Sequence, residues 1–100
     1  MHVIWMPQAV SDLEAVKEYI ERDSPLYALL VVERLFNAVT QLTQFPESGR
    51  VVPELGRPAV RELIRGAYRI VYRVDPDAVR VVTVFHSSRL LPADFELRAR

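Results

Sequence analysis

The sequence predicts an α+β fold in which a short strand leads into an antiparallel two-helix hairpin, followed by a three-stranded antiparallel meander and a short C-terminal tail or helix. Three observations carry this. Apolar residues recur at helical spacing from Ala9 to Ile20 and again from Ala28 to Leu42. A stretch crowded with proline and glycine, Pro46 to Pro58, ends the helical part. From Val60 onward the pattern alternates with period two around two compact turns.

His2 to Met6 is short and apolar and reads as the first strand. Pro7 then opens a helix at a position where its missing N–H costs nothing. Ala9, Leu13, Val16 and Ile20 form its apolar stripe, with Asp12, Lys17, Glu18 and Glu21 on other faces. Ser24-Pro25 supplies an N-cap hydroxyl and a first-turn proline for the second helix. Its stripe is Ala28, Val32, Leu35, Val39 and Leu42, and Phe45-Pro46 stops it. The connection that follows holds three prolines and two glycines between Pro46 and Pro58, too many breakers for regular structure. A loop of that length in a compact domain tends to be functional or mobile.

In the meander, Gly66-Ala67 is suited to a tight hairpin because glycine accepts positive φ at the first turn position. Asp75-Pro76-Asp77-Ala78 makes the second turn, with Pro76 presetting φ and Asp75 able to cap through its carboxylate. Uninterrupted pairing from these turns puts Leu63 opposite Ile70, Arg61 opposite Tyr72, and Arg69 opposite Val84. Alternation then gives one face Leu63, Tyr68, Ile70, Tyr72, Val74, Val79, Val81, Thr83 and Phe85, apolar enough to lie beneath the helices. The opposite face receives Glu62, Arg69, Val71, Arg73, Arg80, Val82, Val84 and His86. Such a mixture is costly to bury unpaired and is expected to meet solvent or a partner. On this reading Arg69→Ala leaves the fold intact.

One hundred residues, half of them apolar, suit a single domain, 1–100, with a modest core. The absence of cysteine excludes disulfides and thiolate metal sites and agrees with a reducing, cytoplasmic setting. No metal site and no cofactor are expected. The start of the chain lacks the pattern of a signal peptide, and the longest apolar run, Tyr27 to Val32, is far short of the roughly 20 residues of a membrane span, so no membrane partner is expected. Zero net charge hides an asymmetry: residues 1–56 carry four cations and eight acids, and residues 57–100 carry nine arginines and five acids. The neutral total disfavours avid nonspecific binding to nucleic acid, while the arginine-rich half suits an acidic protein surface.

Individual residues have structural alternatives. Arg69 and Arg73 can be solvated strand residues, or can pair with Glu62. His86 has a ring suited to acid or base work, or simply bonds backbone and water at a strand end. Tyr68 and Tyr72 read as core edges whose hydroxyls reach water, and Trp5 as core. Arg61 and Arg65 share the helix-facing parity, so they either snorkel outward or pair with helix acids such as Glu14 or Glu21. Leu90, Leu91, Phe95 and Leu97 form an apolar tail that either seals the sheet or awaits a partner.

Taken in order, A-V-S-D-L-E-A-V-K-E-Y-I, S-P-L-Y-A, Q-F-P-E-S-G-R, V-R-E-L-I-R-G-A-Y-R-I-V-Y-R-V and V-F-H-S-S-R resemble the RelE/ParE superfamily of type II toxin-antitoxin toxins. The resemblance implies the same order of elements and, in its ParE-like branch, inhibition of DNA gyrase by binding. It also implies neutralisation by a cognate antitoxin, ParD-like or RelB-like, with a flexible acidic segment. The partner-binding face would hold Glu62, Arg69, Arg73, Arg80, His86 and Arg89. The RelE branch implies instead a ribosome-dependent mRNA endonuclease, for which Arg69, His86 and Arg89 are the candidate catalytic residues. The lysines that RelE places on the preceding strand correspond here to Val60 and Glu62, a departure that counts against cleavage. A degenerate member that retains only antitoxin binding is the third alternative.

Overall fold

The computed structural model describes residues 1–95 of the chain. It contains β1 (His2–Trp5), α1 (Pro7–Glu21), α2 (Pro25–Thr40) with a 3-10 turn at Gln41–Thr43, β2 (Arg50–Val51), β3 (Val60–Arg65), β4 (Tyr68–Val74) and β5 (Ala78–His86). The sheet runs β1-β5-β4-β3-β2, with β1 parallel to β5 and the remaining pairs antiparallel. Strand, helix hairpin and meander thus occur as expected. The expected loop is not wholly irregular, because Arg50 and Val51 pair with Glu62 and Arg61 as the edge strand β2.

Local signals account for the boundaries. Pro7 begins α1, and the Ser24 hydroxyl accepts from the Tyr27 N–H at 3.1 Å as the N-cap of α2. Gly66 adopts φ 57°, the conformation its turn requires, and Asp75 N–H donates to Ala78 O at 2.9 Å across the second turn. The Asp75 carboxylate serves two arginines rather than the turn. Ala28, Val31, Leu35, Ala38 and Val39 are the buried residues of α2. Val31, not Val32, therefore completes the buried stripe.

The main core lies between the hairpin and the sheet. It joins Leu35, Val39 and Leu42 to Leu63, Ile70, Tyr72, Val79, Val81 and Val84, with Leu13, Val16 and Ile20 of α1 packed against it. Trp5 is half-buried there and stacks on Phe36, ring centroids 6.3 Å apart and planes within 4°.

The β4–β5 register departs from uninterrupted pairing. Tyr72 faces Val81, but Val71 faces Thr83, so Val82 is an extra residue and a β-bulge interrupts the ladder. From Val84 onward the residues change face. Val84 packs beneath the helices, Phe85 turns to the opposite side opposite Arg69, and His86 comes to lie opposite Tyr68. Asp12 of α1, expected off the apolar stripe, braces the irregularity: its Oδ2 accepts from the Thr83 hydroxyl and from the Val84 N–H at 3.0 Å. Gln8 holds its Oδ1 at 2.9 Å. A helix carboxylate thus satisfies a backbone donor next to the bulge.

The second face of the sheet is covered rather than open. Val60, Val71, Val82 and Phe85 meet Val52 of the long loop and Phe95 of the tail, with Leu55, Leu91 and Met6 at the margin. Two cores therefore sandwich the sheet, helices on one side and irregular chain on the other.

Candidate functional site

Arg69 lies at the centre of the covered face. It projects away from the helices, as alternation requires, yet it is only 7% exposed. Its Nε donates to Glu62 Oε2 at 2.6 Å, and Nη1 and Nη2 donate to the two oxygens of Glu54 at 3.1 and 3.0 Å. The guanidinium carbon sits 5.0 Å from the centroid of the Phe85 ring. Glu62, 1% exposed, takes a second cation on its other oxygen, Arg50 Nε at 2.7 Å. Two arginines and two carboxylates thus form a compact neutral network, the arrangement in which buried charge is tolerable.

Glu54 belongs to the loop between β2 and β3 and also accepts from Leu91 N–H at 3.1 Å. Loop, strand and tail are joined through that one carboxylate. The Arg69 hydrogen bonds hold its carboxyl at about 2, well below its ordinary 4.5, overcoming the opposing effect of burial. The Arg69 guanidinium is pushed up in turn, chiefly by Glu54 and then by Glu62.

The other arginines of this face are also engaged within the chain. Arg73 and Arg80 are cross-strand partners that share Asp75, at 2.8 Å each, and Arg80 also grips Asp77 at 3.1 Å. Burial alone would raise the Asp75 carboxyl, but Arg73 and Arg80 hold it below the usual range. Arg61 donates to Gly49 O at 3.0 Å in the loop rather than to a helix acid. Arg65 donates to Ile64 O at 2.9 Å, at the exposed hairpin tip. The expectation of an open cationic surface is corrected here. Acids at 54, 62, 75 and 77 neutralise it, and apolar chain covers its centre.

Tyr72 departs from expectation in the same way. Its hydroxyl lies inside the fold and accepts from Gly49 N–H at 2.9 Å, and the side chain is fully buried. A Cβ on Gly49 would lie 2.5 Å from Glu62 O and 2.7 Å from the Tyr72 hydroxyl, so only glycine fits. That close approach fixes the loop against β3 beside the charge network.

The candidate trio Arg69, His86 and Arg89 does not converge. The bulge turns His86 away from Arg69 to the helix side, where it meets Tyr68 edge-on at 5.6 Å. Its Nδ1 accepts from Ser88 N–H at 3.1 Å and pairs with the Ser88 hydroxyl at 2.7 Å. His86 and Arg89 instead line a groove of about 490 Å³ between α1 and the end of β5, with Tyr19, Tyr68, Asp12 and Leu90 among its walls. A second groove, about 330 Å³, opens between α2 and the β3–β4 turn and carries Arg34 and Arg65. Tyr68 borders both, and its hydroxyl is pushed up by burial and by the nearby Tyr27 and Tyr19. The periodicity of the sequence gave no sign of either groove.

The tail divides as well. Leu91 and Phe95 face inward and seal the second core, Leu90 is 82% exposed, and Leu97 lies outside the described residues. Among the described residues no group of His, Cys, Asp or Glu is arranged to hold a metal, and no helix is long and apolar enough to cross a membrane.

This architecture has relatives. Residues 3–91 match the ParE toxin family of the type II toxin-antitoxin system parDE. The chain is 37% identical over 89 residues to "Toxin RelE2" of Caulobacter vibrioides, covering 88% of this chain and 97% of the relative. It is likewise 37% identical over 91 residues to the protein Y4kP of Sinorhizobium fredii, covering 88% and 90%. Among solved structures, the chromosomal ParDE toxin-antitoxin system from P. aeruginosa superposes with a TM-score of 0.71 at 26% identity, covering 86% of this chain and 95% of that one. The RelBE2 toxin-antitoxin complex from Mycobacterium tuberculosis gives 0.52 at 25% identity, covering 85% and 95%. A family match spanning nearly the whole chain, with relatives covered almost end to end, means that this chain belongs to the ParE toxin family within the RelE/ParE superfamily of type II toxins.

Proposed function

We propose that the protein is a ParE-like toxin that inhibits DNA gyrase by binding it, without chemistry of its own, and that a cognate antitoxin silences it. The enclosure of Arg69 carries this reading. Cleavage of RNA through a 2′-hydroxyl needs a cation open to the phosphorane and acid/base groups around it. At the position the nuclease reading needs, the guanidinium is enclosed between Glu62 and Glu54, and both carboxylates would repel a phosphate. His86 lies on the other side of the sheet. Binding demands none of this convergence. The antitoxin is supported by both solved neighbours, each a toxin-antitoxin system.

The name RelE2 of one relative favours the second reading, ribosome-dependent mRNA cleavage, for which His86 and Arg89 share a groove. One pair of assays divides the two. Purified protein added to gyrase is expected to block supercoiling or trap cleaved DNA, and added to translating ribosomes to leave mRNA uncut. Cut mRNA with unaffected gyrase would reverse the assignment. Inactivity in both, with an antitoxin still bound, would mark a member that retains only that interaction.

A further inference from the structure

The layer over the second face of the sheet is built differently from the rest of the fold. It consists of two pieces of irregular chain, the loop 52–59 between β2 and β3 and the tail 90–95. Several of their backbone bonds close on themselves. Leu55 and Gly56 N–H both donate to Val52 O, at 3.1 and 3.0 Å, and Phe95 N–H donates to Pro92 O at 3.0 Å. The loop joins the backbone of the sheet at its two ends, where Val52 N–H donates to Val60 O at 3.1 Å and Val74 N–H to Ala59 O at 2.8 Å. Between those ends, side chains hold the layer down. At the crest of the loop a Cβ on Gly56 would meet nothing within 4 Å.

Those side chains couple the two pieces. Val52 and Phe95, with Leu55 and Leu91 at the margin, pack on Val60, Val71, Val82 and Phe85 as a cluster separate from the core beneath the helices. Glu54 then ties both pieces to the sheet, since its carboxylate takes the two Nη atoms of Arg69 and its Oε2 also accepts the Leu91 N–H at 3.1 Å. Lifting the loop off Arg69 therefore removes the acceptor of the tail, and lifting the tail uncovers the apolar side chains of the loop. Neither piece leaves without weakening the other. Arg69 keeps Glu62 at 2.6 Å when Glu54 departs, so opening strands no buried charge alone. Segments held in this way open at a lower free energy than the packed core.

We propose that loop and tail form one strap that opens cooperatively while the helix hairpin and the sheet stay folded, with Glu54 as its clasp. The open form bares Val71, Val82 and Phe85 and leaves the Nη groups of Arg69 without their carboxylate. A closed, neutral face thereby becomes an apolar one with a guanidinium end free to pair. Access to Arg69 is gated by the strap rather than sealed by the fold. The strap is a property of this chain alone and does not depend on the target proposed above.

The test is native-state amide exchange of the intact, isotope-labelled protein in low urea. Leu55 and Gly56 of the loop and Leu91 of the tail are expected to share one opening free energy and one urea dependence. Both should be smaller than those of Ile70 in β4, because the strap exposes less surface than global unfolding. Glu54→Gln removes an interaction that the open strap and the unfolded chain both lack, so the three amides are expected to quicken by one common factor, about tenfold or more. Leu91→Ala, made in the tail, is expected to quicken Leu55 and Gly56 in the loop as much as Phe95. Val39→Ala weakens the core beneath the helices, which the open strap leaves intact. Ile70 is therefore expected to quicken in that variant while Leu55, Gly56 and Leu91 keep their rates. Different urea dependences for loop and tail, quickening confined to the substituted piece, or reporters that follow Ile70 in the Val39→Ala protein would overturn the proposal. So would an unprotected Leu91 amide, since the clasp would then not hold the tail. The measurement contains neither gyrase nor ribosomes, so its failure and that of the functional reading are told apart.

Discussion

Truncating Arg69 to alanine leaves Glu62 buried with half its partners gone and Glu54 without its bidentate contact. Breaking a buried pair by removing one partner costs about 3–5 kcal/mol, so Arg69→Ala is expected to destabilise the fold rather than spare it. Urea denaturation is expected to show that loss. The combined change Glu62→Leu with Arg69→Met recovers most of it, because charge and counter-charge leave together. An Arg69→Ala protein as stable as the wild type would mean that water reaches Glu62 freely. Gly49→Ala is a second probe of the same region. Its Cβ would overlap a backbone carbonyl and the hydroxyl of a fully buried tyrosine, and overpacking of this kind costs about 1–3 kcal/mol. An unchanged urea midpoint for that variant would show that the loop shifts to make room.

At the scale of elements, the sequence made the strands legible and half of their facing. The alternation of β3 and β4 places Leu63, Ile70 and Tyr72 under the helices and Arg69 away from them, as the structure has it. The same alternation fails in β5 beyond Val82 because a bulge leaves no mark in a run such as Val81 to Phe85, where both parities carry apolar residues. One extra residue moved His86 off the Arg69 face and dissolved the candidate trio. The acid that braces the bulge comes from α1, about seventy positions away in the chain, where spacing set it off the apolar stripe. Asp12→Ala therefore leaves the Val84 N–H without its acceptor and is expected to cost about 1–3 kcal/mol. Amide exchange should quicken at Val84 more than at Ile70. Equal protection at both would show that the bulge stands without the helix.

At the scale of the molecule, the hidden feature was the second cover. Nothing in the spacing of the breaker-rich loop and the apolar tail says that Val52, Leu55, Leu91 and Phe95 would meet on one sheet face. Long-range contacts of irregular chain have no period to read. Their consequence is a fold whose outer layer is fastened by charge, through Glu54 bonded to both Arg69 and the Leu91 N–H. Acid should therefore loosen that layer. The folded-state pKa of Glu54 is depressed to about 2 from 4.5, so the unfolded chain binds more protons between those values. The stabilisation is complete above pH 4.5 and is lost as pH falls toward 2. Asp75, held low by Arg73 and Arg80, acts with the same sign. Because the Glu54 side chain is 31% exposed and solvent screens part of its interaction, the effect is best read as a slope. Urea midpoints measured from pH 7 to pH 2 are expected to fall most steeply below 4.5 in the wild type. Glu54→Gln should start from a lower plateau and fall less steeply, with Asp75 still contributing. Parallel slopes for the two proteins would mean that the carboxylate does not hold the outer layer, and that its apolar contacts alone keep it in place.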